Sequence, residues 1–97
     1  MAIYQYTSTM IFGRNTNKEL NELLEVLLKI NSKEEMQDFL EGIFTPKELL
    51  EIPNRLQIIK MLKSGVSQHE VADKLKVGIA TVTRGSKELQ KGRFKNV

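Results

Sequence analysis

Residues 67–89 read SQHEVADKLKVGIATVTRGSKEL, and this stretch determines how the rest of the 97-residue chain is interpreted. Ser67 followed three residues later by Glu70 forms a capping box, which predicts a helix that starts at Gln68. The apolar side chains of this helix recur at helical spacing and are expected to face inward: Val71, Ala72 and Leu75.

A second helix is predicted from about Ile79, after a turn that contains Gly78. Val82 is expected to face inward, which leaves a small, hydroxylated and basic outer surface made of Thr81, Thr83, Arg84, Ser86 and Lys87. Two short helices joined by a tight turn form a helix-turn-helix, and a second helix of this texture fits the major groove of DNA. An ordinary helical hairpin with a solvated basic face is the alternative. Lys76 stands at the turn position usually taken by glycine, which predicts a small cost if its φ is positive.

Charge is divided unevenly along the chain. Residues 18–51 contain nine acidic and four basic side chains, whereas residues 52–97 contain ten basic and three acidic ones. An acidic half followed by a basic half suggests an assembly module followed by a nucleic-acid-binding module.

Several classes of protein are excluded or disfavoured by composition. The chain has no cysteine, so it has no disulfide framework and no thiolate metal site. It has no apolar run long enough for a membrane span and no secretory leader pattern, so we expect a cytoplasmic protein. No carboxylate pair, nucleophile–base set or phosphate loop is recognisable, and the single histidine, His69, fits a phosphate contact or plain solvation; an enzyme is therefore not expected.

The remaining sequence predicts an all-α chain of five to six short helices. Residues 1–14 have no helical period and are interpreted as a mobile arm, and residues 15–97 as a single DNA-binding and dimerisation domain. A helix is expected after Asn15–Asn17 with a broad apolar stripe: Leu20, Leu23, Leu24, Leu27 and Leu28. So wide a stripe on a short chain predicts burial in a homodimer, and a core completed within the monomer is the alternative.

Two further start signals follow. Ser32 and Glu35 form a capping box for a helix with an apolar inward face: Met36, Phe39, Leu40, Ile43 and Phe44. Thr45, Pro46 and Glu48 start another helix, which Pro53 is expected to end. A separate helix is then predicted from Asn54 to about Ser64, stopped by Gly65. Its inward face is expected to be Leu56, Ile59 and Leu62, with Ile58 and Met61 alongside.

Two blocks resemble the tryptophan repressor superfamily of bacterial regulators over roughly residues 18–90. They are Ile79–Ser86 (IATVTRGS) and Thr45-Pro46 with Arg55 ten residues later. The resemblance implies an intertwined, all-helical homodimer that acts as a sequence-specific, double-stranded operator DNA-binding repressor. A ligand-independent regulator of the same superfamily and a helical protein-interaction module are the alternatives.

The resemblance also implies a site for L-tryptophan as corepressor, with no other cofactor and no metal. Its indole is expected between Arg55 and Arg84, with Thr45 near the ligand carboxylate and Gly85 allowing close approach. Guanidinium groups stack on aromatic rings and bind carboxylates, which fits these roles. The alternatives are an Arg55–Glu51 ion pair and a phosphate contact by Arg84.

Three positions depart from the family pattern. Glu88 replaces a serine near the ligand amino group and is expected either to accept the ammonium or to close the pocket. Lys76 replaces the turn glycine, and the chain ends at Val97, before the family's final helix.

The predicted sites are as follows. The ligand-binding residues are Thr45, Arg55, Arg84, Gly85 and Glu88. The DNA-binding residues are Gln68, His69, Gly78, Ile79, Ala80, Thr81, Thr83, Arg84, Ser86 and Lys87, of which Ile79, Ala80 and Thr83 are expected at base edges.

Overall fold

Five helices make up the part of the chain that the computed structural model describes, which is the backbone of residues 14–97 and the side chains of residues 17–97. The helices are α1 Arg14–Lys29, α2 Lys33–Ile43, α3 Pro46–Lys63, α4 Gln68–Leu75 and α5 Ile79–Gln90. The all-α prediction is confirmed for these residues. The chain divides into two units, one ending at Gly42 and one spanning residues 43–97.

The beginning of α1 differs from the prediction. The helix already includes Arg14 and residues 15–17, so the expected start after Asn17 is wrong. Asparagine is only a few tenths of a kcal/mol less favourable than most residues in a helix, and it does not stop one by itself. The rest of the predicted arm, residues 1–13, lies outside the described residues.

The first unit carries the predicted leucine stripe without covering it. Among the described side chains of α1 and α2 none is buried, and Leu28 is 84% exposed while Leu20 and Leu24 are about half exposed. Ser32 caps α2, because the Glu35 N–H donates to its hydroxyl oxygen at 3.0 Å. Within the first unit, the described residues therefore leave the stripe as an apolar surface that is open to solvent.

The second unit has a small core in which α3, α4 and α5 meet. Ile58, Val71 and Val82 are almost completely buried and form one cluster, and Ile59 is buried as well. Half-buried apolar residues surround this cluster: Met61, Leu62, Val66, Ala72, Leu75 and Val77. The predictions that Val71 and Val82 face inward are thus confirmed.

Helix α3 is continuous through Pro53, so the predicted break there is wrong. Proline disfavours helix in the residue before it and removes one N–H, but it does not forbid a helix. Here the start is strongly fixed. Thr45 and Glu48 form a complete capping box, with the Thr45 N–H donating to the Glu48 carboxylate at 2.8 Å and the Glu48 N–H donating to the Thr45 hydroxyl at 3.2 Å.

The inward face of α3 also differs from the prediction. Leu56 is 44% exposed, whereas Ile58, predicted only to lie alongside, is 2% exposed. Apolar residues occur on nearly all sides of this helix, so spacing alone does not single out the face that packs on α4 and α5. The prediction also assumed a break at Pro53, so the apolar residues before Pro53 were not considered together with those of the second half of the helix.

The turns on either side of α4 set the path of the chain. Gly65 ends α3 with φ +95°, and the Val66 N–H bonds to the Met61 carbonyl at 3.1 Å, which is a Schellman motif. Ser67 caps α4 by accepting the Glu70 N–H at 3.2 Å. Glu70 pairs with Lys74 at 3.5 Å. Lys76 ends α4 in the left-handed region at φ 57° and ψ 45°, so the positive φ on which the expected cost depends is present.

Lys76→Gly is expected to stabilise the protein by up to about 1 kcal/mol, because a left-handed conformation is unfavourable for a side chain with Cβ and natural for glycine. The free energy of unfolding, measured in urea, tests this. Lys74→Gly is the matched control, since it places glycine inside α4 and should destabilise by about 1 kcal/mol. An equal loss of unfolding free energy in both variants would contradict the cost assigned to the left-handed conformation of Lys76.

Candidate nucleic-acid interface and ligand cavity

Helix α5 presents an exposed, partly basic face. Five of the predicted DNA-contacting side chains lie on this helix and are exposed to solvent: Ile79, Ala80, Thr81, Arg84 and Lys87. His69 is exposed on α4. Gly78 is the N-cap of α5 and makes no side-chain cap, so the first N–H groups of α5 have no side-chain acceptor there.

Thr83 and Gln68 connect the first turn of α4 to α5. The Thr83 hydroxyl donates to the Gln68 side-chain oxygen at 2.8 Å, and both residues are half-buried. This bond holds the Thr83 hydroxyl proton and leaves its oxygen able to accept a further bond. The prediction that Thr83 lies fully outside is therefore wrong, and the same holds for Ser86. Ser86 is half-buried because it follows the buried Val82 by one helical turn.

A cavity of about 250 Å³ lies between α3 and α5. Each helix contributes four residues at i, i+3, i+4 and i+7 spacing: Ile52, Arg55, Leu56 and Ile59 from α3, and Thr81, Arg84, Gly85 and Glu88 from α5. Ile58 and Phe94 complete the wall. Four of the five predicted ligand-binding residues are thus brought together around one largely apolar space.

The two arginines in the wall have no acidic partner among the described residues. Neither Arg55 nor Arg84 makes an ion pair with a residue of the described part of the structure. Glu51, the partner that the alternative interpretation assigned to Arg55, instead pairs with Lys47 at 3.7 Å. Two guanidinium groups beside an apolar space are suited to hold a flat anion.

Gly85 has a packing role at this position. A Cβ built on Gly85 would lie 3.2 Å from Ile58 Cγ2 and 3.2 Å from Ile59 Cδ1, closer than ordinary van der Waals contact. Glycine therefore lets α5 approach α3. The sequence interpretation gave this glycine only a role in ligand approach.

Glu88 lies in the cavity wall and already binds two basic side chains. Its Oε2 atom is 3.0 Å from Lys91 Nζ, and its Oε1 atom is 2.7 Å from Arg93 Nε. Hydrogen bonds from Lys91 and then Arg93 to the ionised form lower the pKa of the Glu88 carboxyl group. The carboxylate therefore stays ionised at neutral pH, and these bonds weaken only when the pH falls through the lowered pKa.

Thr45 is not among the residues that line this cavity. Its hydroxyl caps α3 by accepting the Glu48 N–H, and its place beside a ligand carboxylate stays a prediction. The sequence interpretation missed Phe94, Ile52, Leu56 and a cavity role for Thr81. Helical spacing counted outward from Arg55 and Arg84 finds all of these except Phe94.

Two other kinds of site are absent from the described residues. They contain no group of histidine, aspartate and glutamate side chains positioned to hold a metal ion. None of their helices combines the length and the apolar character that crossing a membrane requires.

Comparison with known proteins places this architecture in a family. Residues 18–96 match the family model described as Trp repressor protein. A Trp operon repressor homolog of Xylella fastidiosa (strain M23) is 37% identical over 75 residues, which is 76% of this chain and 82% of that protein. The homolog of Vibrio campbellii is 32% identical over 74 residues, covering 75% of this chain and 74% of the relative. The chain belongs to the Trp repressor family.

Proposed function

We propose that the protein is a homodimeric transcriptional repressor that binds operator DNA with α5 and is regulated by an aromatic amino acid such as L-tryptophan. The family supports the first part, because its members are named as repressors of an operon. The amino-acid ligand rests on the cavity between α3 and α5 and on the two arginines in its wall.

The α4–turn–α5 unit is suited to contact DNA as a helix-turn-helix. The first turn of α5 presents Ile79 and Ala80, which are small enough to approach base edges and apolar enough to contact a thymine methyl group. Lys87 and the basic excess of residues 52–97 favour phosphate contact. Gln68 is positioned to orient Thr83 through their hydrogen bond, while its amide N–H groups remain for a phosphate oxygen.

The cavity is suited to an aromatic carboxylate. Its apolar walls favour the transfer of an aromatic ring out of water. Its two arginines, which make no ion pair with a described residue, favour a negatively charged group. A ring that lies between Arg55 on α3 and Arg84 on α5 would hold the two helices together. Ligand binding would thereby reduce the motion of α5 relative to the core of this unit.

One observation carries the regulatory part of the proposal. Arg84 lines the cavity and also borders the exposed face of α5 beside Ala80, Thr83 and Lys87. A ligand that binds Arg84 therefore restrains the helix face that contacts DNA. By linkage, the ligand must raise the affinity for DNA by the same factor by which DNA raises the affinity for the ligand. The coupling free energy is typically about 1–3 kcal/mol.

The apolar surface of α1 and α2 supports the homodimer. Leu20, Leu24 and Leu28 are exposed within the chain, and α2 adds half-exposed apolar residues that include Phe39 and Ile43. A second copy of the same chain is the natural cover, since a two-fold axis lets one apolar surface pack against itself. Two copies also provide two α5 helices for a two-fold symmetric DNA site.

Arg55→Ala is expected to abolish the response of DNA binding to L-tryptophan while ligand-free DNA binding stays nearly intact, because Arg55 is on α3 and is not one of the predicted DNA-contacting residues. Binding is measured by fluorescence anisotropy on a duplex that the unmutated protein selects from a randomised pool, at two salt concentrations. In the unmutated protein, millimolar L-tryptophan should raise affinity roughly 5–150-fold, and affinity should fall steeply with salt.

Lys60→Ala is the control for this experiment, since Lys60 is exposed on α3 and is not part of the cavity wall. It should leave the ligand response unchanged. Equal DNA affinity with and without L-tryptophan in the unmutated protein would exclude L-tryptophan as the effector and favour a ligand-independent regulator. Failure to select any duplex would instead contradict DNA binding and favour a protein-interaction module.

A further inference from the structure

The segment after α5, residues 91–97 (the tail), turns back toward the cavity. Gly92 has φ +90°, and the Arg93 N–H bonds to the Glu88 carbonyl at 3.3 Å, so a second Schellman motif redirects the chain. Phe94 then becomes part of the cavity wall, and its carbonyl accepts a hydrogen bond from Lys63 Nζ at 2.8 Å. The tail is therefore attached to both α3 and α5.

The tail also supplies both cations that bind Glu88. Lys91 and Arg93 occupy different oxygens of this carboxylate, at 3.0 and 2.7 Å. Among the described residues that line the cavity, Glu88 is the only one with an acidic side chain. An ammonium group on a ligand has therefore one carboxylate to approach, and that carboxylate already has two positively charged partners.

The energetic balance differs for the two ends of an amino-acid ligand. A ligand carboxylate meets Arg55 and Arg84, which have no ion pairs with described residues and gain a new partner. A ligand ammonium that reaches Glu88 must displace Lys91 or Arg93, or share the carboxylate with them against like-charge repulsion. Exposed ion pairs contribute little, so exchanging one cation for another brings little net gain.

We propose that Lys91 and Arg93 determine ligand selection at this cavity: by occupying Glu88 they remove the advantage of an α-ammonium group. The cavity then accepts flat aromatic carboxylic acids with or without an α-amino group. This inference rests on the proposed aromatic ligand in the cavity, and it adds that the tail decides which members of that class bind.

L-tryptophan and indole-3-propionate are the matched probes, because they differ only in the replacement of the α-ammonium group by hydrogen. Calorimetric titration of the unmutated protein is expected to give similar dissociation constants for the two. The double variant Lys91→Ala/Arg93→Ala should bind L-tryptophan more tightly by up to about fivefold, the factor expected for one ion pair near the protein surface. Its affinity for indole-3-propionate should stay nearly constant, which also reports that the cavity is intact.

Two further variants sharpen the test. Lys95→Ala removes a tail cation that has no bond to Glu88 and should change neither affinity. Glu88→Gln should shift selection the opposite way, because Lys91 and Arg93 then lose their carboxylate and repel a ligand ammonium. This second route keeps the proposal testable if the double variant folds poorly.

The outcomes separate the inference from the proposed function. A strong preference for L-tryptophan in the unmutated protein, unchanged in the double variant and in Glu88→Gln, would overturn the inference and leave an aromatic-ligand site standing. Absence of binding for both probes would overturn the ligand site and the inference with it.

Discussion

Ile58→Ala is expected to lower the free energy of unfolding by about 3 kcal/mol, within the range of roughly 2–5 kcal/mol for truncating a fully buried aliphatic side chain. Ile58 is 2% exposed and packs in the cluster with Val71 and Val82, where α3 meets α4 and α5. The loss is large relative to the roughly 5–15 kcal/mol that stabilises most domains. Urea unfolding followed by circular dichroism at a fixed protein concentration measures it.

Gln57→Ala is the matched control, since Gln57 precedes Ile58 on the same helix and is exposed. It should change stability by only a few tenths of a kcal/mol. Protein concentration must be the same for all variants, because the stability of a dimer depends on it. A loss below about 1 kcal/mol for Ile58→Ala would contradict the assignment of this core.

Local signals in the sequence predicted most helix ends of this protein. Thr45, Ser67 and Gly65 each act through hydrogen bonds to residues three to five positions away, so sequence distance and spatial distance nearly coincide. For the same reason the sequence identified Lys76 as the turn position at which a positive φ carries a cost, and its φ is 57°. Such features need no knowledge of the tertiary structure.

Pro53 shows where local reasoning fails. The proline was interpreted as a helix boundary because the residue before it disfavours helix, yet α3 continues past it from a well-capped start. Propensity is a weak preference that packing overrides. Burial of Ile58 and Ile59 against the other helices supplies the compensating free energy, and that packing is not visible in the residues around Pro53.

Part of the cavity wall was predicted, and the part that was missed involves the tail. Arg55, Arg84, Gly85 and Glu88 were identified through the family resemblance, and the structure brings them together. Phe94 and the bonds from Lys91 and Arg93 to Glu88 were not predicted, because a basic tail gives no periodic signal. The Schellman motif at Gly92 turns the tail back toward the cavity. The presence of a glycine in the sequence does not by itself indicate the direction in which the chain turns.

Leu24→Glu/Leu28→Glu is expected to convert the proposed dimer into monomers at micromolar concentration. Leu28 is 84% exposed and Leu24 46% exposed within the chain, so both have apolar surface left to bury. Burying a leucine completely contributes about 1.5–3 kcal/mol, and a two-fold interface counts each residue twice. The lost apolar contribution alone is then roughly 6 kcal/mol, which corresponds to a weakening of the dimer by about ten thousandfold.

Lys29→Glu is the matched control because it changes the charge by the same amount as the double variant. Lys29 is exposed and lies on the side of α1 opposite the leucine stripe, as helical spacing places it. Sedimentation velocity should show a dimer for the unmutated protein and for Lys29→Glu, and a monomer for the double leucine variant.

A folded monomer in the unmutated protein would overturn the proposed assembly. If the double variant stayed dimeric, the interface would have to lie away from the stripe, and the exposed leucines would need another partner. Because two α5 helices are required for a symmetric DNA site, monomerisation should also weaken DNA binding even though no DNA-facing residue is changed.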